Sequence, residues 1–351
     1  MTSKQAGKEE PLLSVRNLRT QFRTPHGKMR AVDGVSFDLE AGRTFGVVGE
    51  SGSGKSVLVR TIMNLLPATA IVPDSGSVLF RGKEIRSLSA AERKHLWGPE
   101  IAVIFQDPMT ALNPVRKIGA QLTEGMRYHL GLSKGDARDR AVDLMREVGI
   151  PEPAMRLNQY PHELSGGMRQ RVVIASALAC EPKLLIADEP TTALDVTVQR
   201  QILDLLVRLR DKHRMAMILI SHDMGVVSGM ADDVAVMYAG QFVEVASSDQ
   251  LFRSVHHPYT EALLASIPDV ALPSQTRLPA IEGRPPDMVD VPAGCRFAPR
   301  CVHAQPGCVE SVPALVTALD AAHSYRCFHP LRLEDRSVAA GGQVAVAERV
   351  I

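Results

Sequence analysis

The sequence predicts an α/β fold interrupted by a helical insertion and followed by a small, proline-rich, cysteine-containing extension. Three observations predict it. Short apolar runs alternate with amphipathic segments from Leu12 onward, the pattern of strands and helices built around a mostly parallel sheet. One run, 44–48, feeds a glycine-rich loop, and another, 184–187, ends in two adjacent carboxylates. Beyond Leu251 the composition shifts, with 11 of the chain's 23 prolines between residues 251 and 330, so long helices are not expected after about Ile267.

Taken in order, residues 12–105 are expected to form the first part of an α/β core and 106–168 a helical subdomain. Within the latter, Ala141, Leu144, Met145 and Val148 of the segment 136–148 fall on one helical face. Residues 169–250 resume the core, with 233–238 and 241–245 broken by Gly240 as a closing hairpin. Residues 251–331 make the extension, and the small, polar tail from Leu331 is expected to be loosely ordered.

Gly49-Glu50-Ser51-Gly52-Ser53-Gly54-Lys55-Ser56 fills G-x-x-x-x-G-K-[ST] at every required position, after an apolar strand and before a helix. The glycines let backbone N–H groups turn inward around phosphate oxygens. Lys55 reaches the β and γ phosphates, and Ser56 is placed to ligate Mg²⁺. The helix N-terminus adds its positive end. In Leu184-Leu185-Ile186-Ala187-Asp188-Glu189-Pro190 successive strand side chains point to opposite faces. Asp188 is therefore read as the Mg²⁺ carboxylate and Glu189 as the general base that polarises the attacking water.

A third feature is the run His162-Glu163-Leu164-Ser165-Gly166-Gly167-Met168-Arg169, set just before the apolar helical stretch 172–179. Ser165, Gly166 and Gly167 thus sit at a helix N-terminus suited to an anion. One chain cannot offer two phosphate cradles to one nucleotide from opposite sides. Here the sequence resembles the ATP-binding cassette (ABC) family, and the resemblance covers nearly the whole chain. It implies an ABC-type P-loop nucleotide-binding domain: a RecA-like core with an antiparallel β subdomain and a helical subdomain. In that family two cassettes pack head to tail, each signature closing on the γ-phosphate held by the other.

Residue by residue, Gln106 in Ile104-Phe105-Gln106-Asp107-Pro108 resembles the Q-loop glutamine that touches Mg²⁺ and water. Ala193-Leu194-Asp195 resembles the D-loop, and His222, after the apolar run 217–220, the switch histidine at the γ-phosphate. Phe22 is the candidate for stacking on adenine, with His26 the alternative. Met168 departs from the family's commonest signature, which carries Gln there, and resembles the variant of the peptide-importer branch.

Four of the five cysteines, Cys295, Cys301, Cys308 and Cys327, are spaced C-x5-C-x6-C-x18-C in the extension. Thiolates suit zinc or an iron–sulfur cluster. The lack of C-x2-C pairs disfavours a zinc ribbon, unligated thiols remain an alternative, and His303, His323 and His329 are available as substitute ligands. Cys180 reads as a small buried hydrophobe. Pro292-Ala293-Gly294-Cys295-Arg296-Phe297-Ala298-Pro299-Arg300-Cys301 and His257-Pro258-Tyr259-Thr260 resemble the C-terminal extension of dipeptide and oligopeptide importer ATPases. That resemblance implies a four-iron [4Fe-4S] cluster on the four cysteines, most simply a staple for a small domain.

With 40 basic and 39 acidic residues the chain has no global field to attract nucleic acid or anionic lipid. No uninterrupted apolar run reaches the roughly 18 residues that cross a bilayer, and residues 1–10 lack the apolar core of a signal peptide. The resemblance implies an ATPase coupled to transmembrane transport, peripheral at the cytoplasmic face of the cell membrane. Its partners would be a related but different ATPase subunit, two transmembrane permease subunits and, through them, an extracytoplasmic solute-binding protein. The expected cargo is di- or oligopeptides, with nickel, glutathione or another small polar solute as the alternative. A cassette ATPase acting on nucleic acid or ribosomes typically carries a long internal coiled coil or tandem cassettes, and this chain has neither pattern.

Overall fold

The structure is a computed structural model and describes residues 10–71, 73, 76–106, 111–191, 194–267, 280–318 and 323–331. Residues 107 and 108 beside Gln106, Ala193 of the D-loop and the tail from 332 lie outside the described residues. In chain order the elements are β1 (Leu13–Thr24), β2 (Gly27–Leu39), β3 (Thr44–Val48), α1 (Lys55–Ile62), β4 (Ala70–Ile71), β5 (Ser77–Phe80), β6 (Lys83–Glu84), α2 (Ala90–Leu96) and β7 (Ile101–Ile104). Then come α3 (Ile118–Leu130), α4 (Lys134–Glu147), α5 (Pro153–Arg156), α6 (Gly166–Leu178), β8 (Leu184–Asp188), α7 (Val196–His213), β9 (Ala216–Ser221) and α8 (Met224–Ser228). The chain continues through β10 (Asp233–Tyr238), β11 (Gln241–Ser247), α9 (Ser248–Arg253), α10 (Pro258–Ala265), α11 (Pro306–Glu310), β12 (Val316–Thr317) and β13 (Ser324–Tyr325).

The chain divides into two compact units. The first comprises Asp38–Arg43, Leu79–Ile220 and the segment ending at Leu13. Its sheet is parallel: β8 pairs with β7 and β9, with Ile104 opposite Ala187 and Asp188 opposite Ile220. Every residue of β8 and β9 is buried, which is why both read as unbroken apolar runs rather than alternating ones. α3, α4 and α6 pack on one another. α3 buries Ile118, Leu122 and Met126 at a four-residue spacing, and α4 buries Ala137, Ala141, Leu144 and Met145. Ser133 caps α4 by accepting from the Asp136 N–H at 3.2 Å.

The second unit comprises Ser14–Phe37, Thr44–Val78 and the chain from Ser221 onward. β3 runs parallel to β10, with Val47 opposite Ala235. β10 returns as β11 through a tight turn at Ala239 and Gly240, both with positive φ (44° and 83°). Phe37 and Phe45 stack at 4.4 Å between centroids, and Phe242 of β11 packs against both. The sequence treats β10–β11 as the hairpin closing the core, yet the sheet continues. β13 adds antiparallel to β11, with Glu244 opposite Tyr325, and β12 adds to β13. The extension therefore covers an edge that β11 would otherwise leave unpaired. Its secondary structure is short among the described residues, as the prolines require: eight residues in α10, five in α11 and two each in β12 and β13.

Candidate nucleotide site and cysteine recess

In the second unit β3 delivers the chain into the glycine loop and α1 leaves it. A Cβ on Gly49 would drive into the Met237 carbonyl, and one on Gly54, whose φ is 107°, into the Ala31 carbonyl. The loop is thus wrapped so closely by β2 and β10 that only glycine fits at either end. Lys55 is 4% exposed, and its ammonium donates to the carbonyls of Gly49 at 2.7 Å and Glu50 at 3.0 Å. Ser53 Oγ is buried without a hydrogen-bond partner. A buried hydroxyl in a glycine cradle beside a lysine suits a phosphate oxygen, since an unpaired one costs about 1–3 kcal/mol.

Glu50 points the other way. Its backbone N–H donates to the Tyr259 hydroxyl at 2.9 Å, and its carboxylate takes both arms of Arg300, at 2.6 and 2.9 Å. Tyr238 Oη accepts from the same guanidinium at 3.3 Å. The Gly240 N–H holds the Ser53 carbonyl at 2.8 Å. Ser56 is half-buried at the head of α1, and Gly52 has φ 81°. Phe22 is half-buried on β1 opposite Ala70 of β4, whereas His26 is exposed in the turn after β1. His222 is exposed at the end of β9, just before Asp223, which caps α8.

In the first unit Asp188 closes β8 at 3% exposure. Glu189 follows with φ 48°, an uncommon conformation for a residue with a side chain, and its N–H is fixed by the Ile220 carbonyl at 3.0 Å. Gln106 Nε2 donates to Glu189 Oε2 at 3.0 Å, so two of the residues expected to share chemistry are in contact. Ser165 caps α6, its hydroxyl accepting from the Met168 N–H at 3.3 Å. Asp195 likewise caps α7, accepting from Val198 at 2.9 Å. A Cβ on Gly167 would meet Val198 at 3.0 Å and one on Gly166 would meet Leu194 at 3.7 Å. The glycines of the signature thus let its helix start lie against the start of α7. Gln170, one place beyond Arg169, is buried and donates to the Pro190 carbonyl at 2.6 Å, tying α6 to the acidic turn.

Cys295, Cys301, Cys308 and Cys327 all line one recess, together with His303, His329, His257 and Phe297. None is in a disulfide. The Cys295 N–H donates to the Cys308 carbonyl at 2.8 Å, which binds the two cysteine turns to each other. Burial pushes the thiols of Cys295 and Cys301 up and that of Cys327 up to about 12. The donor set fits a thiolate-bound centre. His323 is not among the lining residues. It pairs with Glu244 at 2.7 Å, and that fully buried carboxylate also accepts from the N–H groups of His256 at 2.6 Å and His257 at 3.0 Å. Glu244 thus clasps β13 and the start of α10 to β11. Cys180 is buried just past α6, with its thiol likewise raised by burial.

In the sequence His257-Pro258-Tyr259-Thr260 carries a family resemblance but no physical role. The structure supplies one. His257 Nδ1 accepts from the Tyr259 N–H at 3.1 Å and starts α10, which presents the buried Tyr259 to the phosphate loop. Arg300, one residue before Cys301, likewise has no role legible in the sequence beyond its place beside a cysteine.

A glycine cradle with a buried lysine, a glutamine on an acidic turn and a serine-capped signature helix together define an ATP-binding cassette ATPase. Residues 32–192 match the ABC transporter family, and residues 243–308 match the oligopeptide/dipeptide transporter C-terminal region. The chain is 47% identical to the dipeptide transport ATP-binding protein DppD of Bacillus subtilis over 332 residues, covering 95% of this chain and 98% of that one. It is 50% identical to the oligopeptide transport ATP-binding protein OppD of the same organism, covering 88% and 86%. It is 47% identical to DppD of Escherichia coli, covering 91% and 97%. Among solved structures, cbiO1 from Clostridium perfringens, part of the ABC transporter complex cbiONQ, superposes with a TM-score of 0.60 at 28% identity, covering 70% of this chain and 92% of that one. The chain belongs to the ABC transporter family of ATP-binding proteins.

Proposed function

We propose that this chain is the ATP-hydrolysing subunit of an importer that takes up di- or oligopeptides through separate membrane permease subunits. The observation that carries the reading is the match of residues 243–308 to the oligopeptide/dipeptide transporter C-terminal region, joined to a cassette whose relatives are peptide transport ATP-binding proteins over nearly their whole length. In this reading the chain works peripherally at the cytoplasmic face of the membrane. It pairs with a second, related ATPase subunit and docks on two permease subunits fed by an extracytoplasmic binding protein. No described helix is long and apolar enough to cross a membrane. Residues 12–105 and 169–250 serve as the nucleotide core, 106–168 as the helical subdomain and 251–331 as the extension.

The loop N–H groups and Lys55 bind the phosphates, and Phe22 stacks on adenine. Ser56, Gln106 and Asp188 are the residues that would hold Mg²⁺, which would supply charge neutralisation to the phosphates. Glu189 takes the proton of the attacking water. Its geometry supports that role: φ 48° turns it away from the path of β8, and Gln106 steadies its carboxylate. Ser165, Gly166 and Gly167, with Asp195 behind them, offer the partner cassette's γ-phosphate a helix start, while His222 contacts the γ-phosphate of the chain's own nucleotide. A ligand gripped in this way only in the closed state shifts the population toward closure.

Cys295, Cys301, Cys308 and Cys327 would hold a [4Fe-4S] cluster that supplies a structural crosslink to the extension. Anaerobic protein analysed for iron, sulfide and zinc is expected to carry about four irons and four sulfides per chain, diminished in Cys301→Ser. Zinc in their stead would sink the cluster reading.

The transport reading is tested by uptake of labelled dipeptide and oligopeptide in cells carrying the chain or its Lys55→Ala variant. Peptide uptake lost with Lys55→Ala supports it. Unchanged peptide uptake with a fall in nickel or glutathione uptake would move the chain to another cargo.

A further inference from the structure

The residues that brace the phosphate loop from outside come from the extension, and they sit beside the cysteines. Arg300 immediately precedes Cys301, and its guanidinium grips Glu50, the second residue of the loop, with two hydrogen bonds at 2.6 and 2.9 Å. Its side chain is 3% exposed, and its two donors to Glu50 form the parallel, charge-assisted geometry that fixes direction as well as distance. Nη1 also donates to the Tyr238 hydroxyl and Nη2 to the Ile281 carbonyl, while Nε donates to the Glu282 carbonyl, all on the same unit. Hydrogen bonding to Glu50 raises the Arg300 pKa further, so the guanidinium keeps its charge at any working pH.

Arg296, immediately after Cys295, makes a second strut. Its buried guanidinium donates to Asp33 of β2 and to the Ala239 carbonyl at the hairpin turn whose next residue, Gly240, holds Ser53 of the loop. The Glu50 N–H is meanwhile taken by Tyr259 at 2.9 Å. One face of the phosphate loop is therefore clamped by residues that belong to the cysteine segment or pack beside it. The opposite face keeps Lys55 and the unpaired Ser53 hydroxyl.

We propose that Arg300 is a positioning residue of the nucleotide site: it holds the phosphate loop in its phosphate-accepting shape through Glu50, so that the cysteine segment sets ATP affinity and bound ATP in turn steadies the cysteine segment. The inference rests on the reading of residues 49–56 as the ATP-binding loop. The coupling is reciprocal by thermodynamic linkage: whatever loosens 295–301 weakens ATP binding by the same factor by which ATP tightens 295–301. No group in this argument touches ATP except the loop itself. A loop freed of its outer clamp must lose that freedom again when it binds, and the loss appears as weaker affinity rather than slower chemistry.

The test uses the full chain, with equilibrium binding of ATP and steady-state hydrolysis measured on wild type, Arg300→Gln, Glu50→Gln and the double variant. ATP binding by the wild type checks the underlying reading first; if the wild type does not bind ATP, that reading fails, whatever the variants do. Given wild-type binding, each single variant is expected to weaken ATP about tenfold, raising KM with kcat little changed, and the double variant to be no weaker than either single one. Glu50→Gln leaves the cysteine segment's own sequence intact, so a shared effect is not a folding defect of the extension. Amide hydrogen exchange supplies the reverse arm: Mg-ATP slows exchange across 295–301 in wild type and fails to do so in Glu50→Gln. Affinity within twofold of wild type in either single variant, effects that multiply in the double variant, or exchange at 295–301 indifferent to ATP would each overturn the proposal.

Discussion

The phosphate loop and the acidic turn after β8 solve the same problem, holding a functional backbone in a shape most residues avoid, by opposite means. The loop uses glycine where the chain must bend, at Gly54 with φ 107°, and is then clamped from a distance in sequence by Tyr259, Gly240 and Arg300. The acidic turn uses no glycine: Glu189 sits at φ 48° and is held by the Ile220 carbonyl and by Gln106. The difference follows from what each must present. A loop that offers backbone N–H groups gains from having no side chains in the way, whereas a turn that offers a carboxylate must keep its side chain and take the strain, about 1–3 kcal/mol. The loop is thus sensitive to the extension, and the turn to its immediate neighbours.

The largest expected effect breaks the acidic turn. Glu189→Gln keeps the volume and the Ile220 hydrogen bond while removing the base. Phosphate release is expected to fall by about 10²–10⁴-fold with ATP binding retained and the closed pair of cassettes trapped. Hydrolysis at the wild-type rate would remove Glu189 from the chemistry. Next is the loop's own charge. Lys55→Ala removes a buried ammonium and its charge-assisted contacts to phosphate, about 1.5–3 kcal/mol, so ATP affinity is expected to drop by one to two orders of magnitude. Unchanged affinity in a direct binding assay would show that the lysine serves only the carbonyls it holds.

Gly54→Ala sharpens the comparison, because it changes no functional group. The new Cβ meets the Ala31 carbonyl, and φ 107° disfavours any side chain. A loss of about 1–3 kcal/mol in folding stability is expected, read as a lower unfolding midpoint. The same measurement on Gly52→Ala, where φ is 81° but no atom lies within 4 Å, isolates the backbone cost from the clash. Equal losses at the two sites would mean that β2 does not crowd the loop.

How much of this was legible in the sequence divides along the same line. The P-loop, the acid pair and the signature are contiguous patterns, and local chemistry dictates them: glycine where a Cβ cannot fit, serine where a helix needs a cap. The apolar runs of β8 and β9 were legible because burial on both faces removes alternation. What could not be read were contacts over long sequence separations. Glu50 fills an unconstrained position of the P-loop pattern and is explained only by Arg300, 250 residues later. His323 is available in the sequence as a substitute ligand for the cysteine centre, yet in the structure it pairs with Glu244, just ahead of the short β13. β13 itself is two residues long, too short for any periodicity to announce it.

The smallest effect probes the brace through its least obvious member. His257 is buried at the start of α10, and its Nδ1 accepts the Tyr259 N–H, so the ring must be neutral there to serve the helix that carries the loop's tyrosine. Burial lowers its pKa from the ordinary 6.5 to about 4. The unfolded chain therefore binds a proton near pH 6.5 that the folded chain refuses until about pH 4. The resulting stability is present above pH 6.5 and is lost as pH falls toward the folded value. Between pH 6.5 and 5, where most carboxylates stay ionised, this amounts to roughly 1.5 kcal/mol. Denaturant unfolding across that window is expected to show the loss in wild type and a flatter profile in His257→Asn, whose side-chain oxygen can accept the same N–H without titrating. If the neutral ring matters through Tyr259, the wild type should also lose ATP affinity over this window faster than His257→Asn does. Parallel affinity profiles with divergent stability profiles would confine His257 to holding α10 and leave the loop's bracing to Arg300.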